Sequence, residues 1–207
     1  MRRLAAALAL VIMIGASAST AFAQPKYPNR PIRLLVPFAP GGGVDVVARI
    51  VGRKVSEALG QPILVESKPG GGGAVAVGEL MRSAADGYTL LMTTSAHATL
   101  PKLNKLPWHP SNDFTLIASI YSYMFDYSSE GQIFVLGPKG LPASIQTRLN
   151  SEFAAALDDK EVRARLVGFG LGVPDSRHNT VAALKQHIDD FQATYDKLIA
   201  ELGIEAK

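Results

Sequence analysis

The sequence predicts an α/β fold, a mostly parallel sheet with helices on both faces, and three features carry that expectation. Short apolar runs of strand length alternate with stretches of helical period. The connections between them are short, so successive elements lie side by side. Two glycine clusters, 41–43 and 70–73, fall where a strand gives way to a helix.

Residues 32–38 (IRLLVPF) are nearly continuous in apolar character, as in a strand buried on both faces. After the break at 39–43, residues 44–59 place Val46, Val47, Ile50, Val51, Val55, Ala58 and Leu59 at helical spacing, with Gly60 at the C-cap. Residues 61–67 (QPILVES) form the second strand, and the glycines at 70–73 lead into a helix over 74–85. A turn at Asp86 and Gly87 precedes a third strand over 88–94. Beyond it the pattern weakens. A strand fits 133–136, and a helix fits 142–158 with Ile145, Leu149, Phe153 and Leu157 on one face. The last helix, about 180–202, carries Leu184, Ile188, Phe191, Tyr195, Leu198 and Leu202 in steps of three and four, and Gly203 ends it. Between 119 and 131 the aromatic-rich run IYSYMFDYSSE has no clear period.

The 207 residues are enough for one large domain or two small ones. Glycine and proline, 19 and 13 residues, are about 15% of the chain, below the ~25 to 30% of low-complexity sequence. With no cysteine there is no disulfide, thiolate metal site or cysteine nucleophile, and four scattered histidines do not suggest zinc. The net charge of +3 overstates the basic character. Arg2 and Arg3 precede an apolar run over 4–14 and a small-residue stretch ending Ala21-Phe22-Ala23, the pattern of a cleaved export signal over 1–23. The run is too short to span a bilayer, which takes about 20 residues. Cleavage after Ala23 would reduce 21 basic residues to 19 against 18 acidic ones, which leaves no electrostatic footprint for nucleic acid.

Both glycine clusters fall at the carboxyl ends of parallel strands, where open α/β sheets bind ligands. Glycine admits close backbone approach, and the free N–H groups of the following helix favour an anion such as carboxylate or phosphate. Tight turns alone would also explain the glycines. The phosphate-loop string G-x-x-x-x-G-K-[ST] is absent. Gly41-x-Gly43-x-x-Val46 has valine where a dinucleotide fingerprint needs Gly or Ala, although Glu66 stands where the ribose acid would be; Gly71-x-Gly73-x-x-Ala76 fits better but has no such acid. Asp45, Ser95 and His97 lie near the same strand ends, but no G-x-S-x-G elbow supports a hydrolase. Ser95 and His97, on one loop, are better read as ligand donors or loop polar groups. Asp45, in a first helical turn, is favoured there by the dipole whatever its role.

Residues 27–45 (YPNRPIRLLVPFAPGGGVD), 59–62 (LGQP), 66–73 (ESKPGGGG), 85–91 (ADGYTLL), 106–110 (LPWHP) and 113–115 (DFT) together resemble the Bug (TctC-like) family. These are periplasmic substrate-binding proteins of tripartite tricarboxylate transporters. Residues 137–142 (GPKGLP), 148–150, 161–163 and the last helix resemble the end of the same family. The resemblance implies the type II periplasmic-binding-protein fold, two lobes closing on a small carboxylate. It implies ligand contacts from Phe38, Pro40, Gly41, Gly42, Gly43 and Asp45, with Gly71, Gly72, Ser95 and His97 as further candidates, and no cofactor, metal or catalysis. Val44 stands where the family usually has a hydroxyl.

Measured against that family the chain is short by a middle block, roughly the ~100 residues of a domain. The expected organisation is lobe 1 over 24–120, a junction over 121–131 where the second lobe would be inserted, and a returning segment over 132–207 packed on lobe 1. The leading expectation is a periplasmic receptor for a di- or tricarboxylate, an amino acid or an aromatic acid, serving transporter membrane subunits and impaired by loss of half its clasp. The alternative is a non-transporting interaction protein or inactive remnant that dimerises through its exposed inter-lobe face, suggested by Tyr121, Tyr123, Phe125 and Tyr127.

Overall fold

The computed structural model describes residues 26–122, 131–173 and 179–204. The export segment with its cleavage point at Ala23 lies outside the described residues, as do positions 123–130 of the junction with Tyr123, Phe125 and Tyr127. Five strands form one sheet: β1 (Ile32–Val36), β2 (Ile63–Ser67), β3 (Thr89–Thr94), β4 (Phe114–Ser122) and β5 (Gln132–Pro138), in the spatial order β2-β1-β3-β5-β4. β1 pairs in parallel with β2 and β3. β5 runs antiparallel to both β3 and β4, so four strands point one way and β5 alone opposes them.

Side chains alternate between the sheet's two faces, and each face has its own helices. Leu34, Val36, Leu90 and Val135 pack against α1 (Gly43–Leu59), α4 (Ala143–Asp158) and α5 (Lys160–Gly168). Leu35, Leu91, Phe134 and Leu136 pack against α2 (Ala74–Met81), α3 (Ala96–Leu103) and α6 (Val181–Glu201). Gly60 ends α1 at φ 67, the left-handed C-cap its position suggested. Among the described residues no helix is long and apolar enough to cross a membrane.

Five elements differ from the sequence expectation. α2 stops at Met81 rather than 85, with Arg82 as its C-cap. Ser95 to His97 open the helix α3 rather than forming a loop. β4 fills a stretch that showed little regularity, because register shifts between Leu116 and Ala118 and between Ser119 and Tyr121 break its alternation. α5 is a separate helix: Asp159, in extended conformation, interrupts the run and caps α5 by accepting from the amides of Glu161 (3.0 Å) and Val162 (3.1 Å). The last helix also departs from its stripe. Leu184 and Ile188 are buried as expected, but Leu198 and Leu202 are exposed and Ile199 is buried in their place.

β4 is an edge strand without an open edge in its middle. Gln146 and Asn150 on α4 donate their side-chain amides to the carbonyls of Leu116 (2.8 Å) and Ile117 (2.7 Å). Asn179 accepts from the Ser119 amide at 2.8 Å and donates to the Ser119 carbonyl at 2.7 Å, taking the place of a paired strand residue. Both Ser119 and Asn179 are buried, where unpaired backbone groups are costly. Asn179→Ala is therefore expected to lower unfolding free energy by about 1 to 3 kcal/mol. Exposed Asn112→Ala should shift it by less than about 0.5 kcal/mol. Urea midpoints of the two variants make the comparison.

Candidate functional site

The segment after β1 carries the first glycine cluster across the carboxyl edge of the sheet. Gly41 sits at φ 80, a conformation that disfavours side chains. A Cβ on Gly42 would lie 3.1 Å from the Ala39 carbonyl, to which the Gly42 amide donates. Gly42 is the N-cap of α1 and offers no side chain to cap it. Among the described residues no acceptor is assigned to the amides of Gly43, Val44 and Asp45, the first-turn donors that a helix leaves open.

Asp45 holds this loop. It is 1% exposed, and its Oδ2 accepts from the Gly41 amide and from Arg49 Nε, each at 2.9 Å. Its Oδ1 accepts from Arg49 Nη2 (3.0 Å) and Ser67 Oγ (3.2 Å). The Arg49 guanidinium, with the Gly41 amide and Ser67 hydroxyl adding to it, holds the carboxyl below its usual range despite burial. Both oxygens of Asp45, expected as a ligand contact, are thus occupied by partners within the protein that hold the loop in place.

A cavity of about 530 Å³ opens at this helix terminus. Phe38 and Gly41 to Gly43 form one side, with Val44, Val46 and Val47 from α1. Thr94 at the end of β3, Ile133 at the start of β5, and Phe169 and Leu171 beyond α5 complete it. Phe38, Gly41, Gly42 and Gly43 are therefore brought together as expected, whereas Pro40 is exposed beside them and does not line the cavity.

The other candidates go elsewhere. Gly71 and Gly72 lie in a 3₁₀ turn leading into α2 and do not line the cavity; a Cβ on Gly72 would meet Leu100 Cδ1 at 3.2 Å, so that cluster serves a tight turn against α3. Ser95 clamps the returning chain: its hydroxyl accepts from the Gln132 amide at 2.8 Å and its own amide donates to the Gln132 carbonyl at 3.0 Å. His97, 2% exposed, is a core residue. It stacks on Trp108 at 4.7 Å, meets Phe114 edge-on at 4.9 Å and bonds the Pro110 carbonyl through Nε2 at 3.1 Å. Helix α3 turns it into the face opposite the solvent, which the loop reading did not foresee. Glu66 is bound by Arg33 at 2.8 and 2.7 Å, so it is not free for a ribose. No group of three or more potential metal ligands occurs among the described residues.

Val46, Val47, Thr94, Ile133, Phe169 and Leu171 were not singled out as site residues from the sequence. The valines were accessible as first-turn neighbours of the glycines. Phe169 and Leu171 carried no local signal, since only the return of the chain over α1 brings them there.

Burial pushes the His97 imidazole down to about 4. A base whose folded value lies below its unfolded 6.5 contributes fully above pH 6.5, and that contribution falls away as pH drops towards 4. Wild-type protein is therefore expected to lose about 2 to 3 kcal/mol more than His97→Leu between pH 7 and 4.5, the difference isolating this group from the carboxylates. Urea unfolding at the two pH values checks it.

With the fold and cavity defined, comparison with known proteins gives one direction. Residues 47–129 match the family model described as tripartite tricarboxylate transporter family receptor. BugT of Bordetella pertussis is 40% identical over 110 residues, 53% of this chain and 33% of that protein, so the chain spans about a third of the length of the curated relatives it matches. Among solved structures, the periplasmic binding protein BugD superposes with a TM-score of 0.81 at 17% identity, over 87% of this chain and 100% of that one. MatC from Rhodopseudomonas palustris, with bound malate, superposes with a TM-score of 0.77 at 19% identity, over 84% of this chain and 100% of that one. The fold is that of the periplasmic binding proteins, and the resemblance to the Bug (TctC-like) family read from the motifs is borne out. That family consists of receptors rather than enzymes.

Proposed function

We propose that this chain is an exported, periplasmic solute-binding protein of the TctC type that takes a small carboxylate at the start of α1. The observation that carries the reading is the cavity itself, lined by Gly43 and Val44 of the uncapped first turn and by a glycine loop tied down by Asp45. A carboxylate there accepts from pre-aligned N–H groups and lies at the positive end of the helix dipole. Asp45 does not compete, because its charge is met by Arg49. The bound malate of MatC agrees with this ligand class.

The reading includes a reduced form of the fold, one lobe plus the returning segment. β4 and β5 are antiparallel partners up to Ser122 and Gln132, so the point where a second lobe would leave and the point where it would return lie side by side. A block between them can be replaced by a short connection without disturbing the sheet. Half the ligand contacts go with it, however, which corresponds to a deficit of roughly 3 to 5 kcal/mol or about 10² to 10⁴ in affinity. Calorimetric titration with citrate, malate, glutamate and aromatic acids is expected to give dissociation constants well above micromolar. A micromolar constant for any of them would contradict the one-lobe reading.

A further inference from the structure

The cavity has one polar corner and otherwise apolar walls. Beyond the helix terminus the lining includes Val44, Ile133, Phe169 and Leu171, with the Thr94 hydroxyl as the one polar side chain among the described lining residues and no charged side chain among them. Phe169 is 61% exposed, yet its backbone is firmly held. Its amide donates to the Leu166 carbonyl (3.0 Å), the Gly170 amide to Val167 (2.8 Å) and the Leu171 amide to Leu166 (3.2 Å), with Gly170 at φ 75 to allow the turn. An aromatic ring exposed on a firmly held turn at a cavity wall gains burial when an apolar group occupies the cavity.

We infer that the cavity selects a carboxylate with a single charge and an apolar body, an aryl or branched aliphatic monocarboxylate, and that Phe169 is the specificity-determining residue. This rests on the carboxylate reading of the site. The first carboxylate is satisfied by the helix terminus. A second one, as in malate or citrate, would have to sit against Val44, Ile133, Phe169 and Leu171, where an unpaired charge is strongly disfavoured. An apolar body covers the same side chains and releases their hydration water. The volume, about 530 Å³, lies within the ~300 to 1,000 Å³ of small-molecule sites and leaves ample room for a phenyl ring.

Ligand-observed NMR titration of the full chain, suited to weak binding, tests this with phenylacetate, acetate, malate, citrate and the neutral amide phenylacetamide. Phenylacetate is expected to bind about ten-fold or more tighter than each of the other four. Phe169→Ala should weaken phenylacetate about five- to twenty-fold and leave acetate unchanged, with unaltered circular dichroism because the ring is exposed. Malate or citrate binding as tightly as phenylacetate, or a Phe169→Ala variant that binds phenylacetate like wild type, would overturn the selectivity and leave the carboxylate reading standing. Phenylacetamide binding as tightly as phenylacetate, or no acid binding at all, would overturn the carboxylate reading and the selectivity with it.

Discussion

β5 runs against both of its neighbours, and its ladders with β3 and β4 are where the two parts of the chain become one body. Leu91 to Thr94 pair with Leu136 to Ile133, and the same strand pairs on its other side with β4 from Pro138 to Gln132. Ser95 and Gln132 add a two-way clamp at the start of β5. From this strand the chain continues into α4 and α5, which land on α1 and are fastened there by Lys54 to Asp159 at 2.7 Å and Arg53 to Glu161 at 3.1 Å. The exposed Arg53 pair contributes little; the burial of Leu149, Phe153, Val162 and Leu166 against α1 and the sheet is the larger effect. Only because α5 ends over α1 do Phe169 and Leu171 reach the cavity.

Near the site the charges are already paired. Asp45 is matched by Arg49, and Arg33 on β1 gathers Glu66 and Glu79, with Lys68 beside them at 3.6 and 3.3 Å. What faces the cavity is therefore backbone dipole and apolar surface rather than a formal cation. Under the proposed function, an anion there would be held by pre-aligned amides, which pay no side-chain entropy on binding, and selectivity would come from wall shape.

Much of this fold can be read along the chain. The first three strands announce themselves as apolar runs bounded by glycine and proline, and α1 through its period and Gly60. The glycines at 41–43 point to the corner of the cavity because a backbone approach and a helix terminus are local properties. Other parts depend on packing across the molecule. β4 is obscured by its two register shifts, which place Leu116, Ile117 and Ala118 inside in succession. His97 and Ser95 look like loop donors until α3 forms and turns one into an aromatic cluster and the other onto Gln132. Asp45 has the position of a ligand residue but not the freedom, since Arg49 one turn later and Ser67 on a neighbouring strand claim its oxygens. Phe169 has no signal at all until the chain has returned.

In this arrangement β5, α4 and α5 should unfold together with β1 and β3 as one cooperative unit rather than as a loosely attached tail. Native-state hydrogen exchange measures this directly. Leu34 in β1, Leu91 in β3 and Val135 in β5 are all fully buried in the sheet, and their amides are expected to exchange through the same global opening, with free energies within about 0.5 kcal/mol of one another. Exchange of Val135 and the α4 amides at free energies several kcal/mol below those of β1 and β3 would instead show a segment that opens on its own.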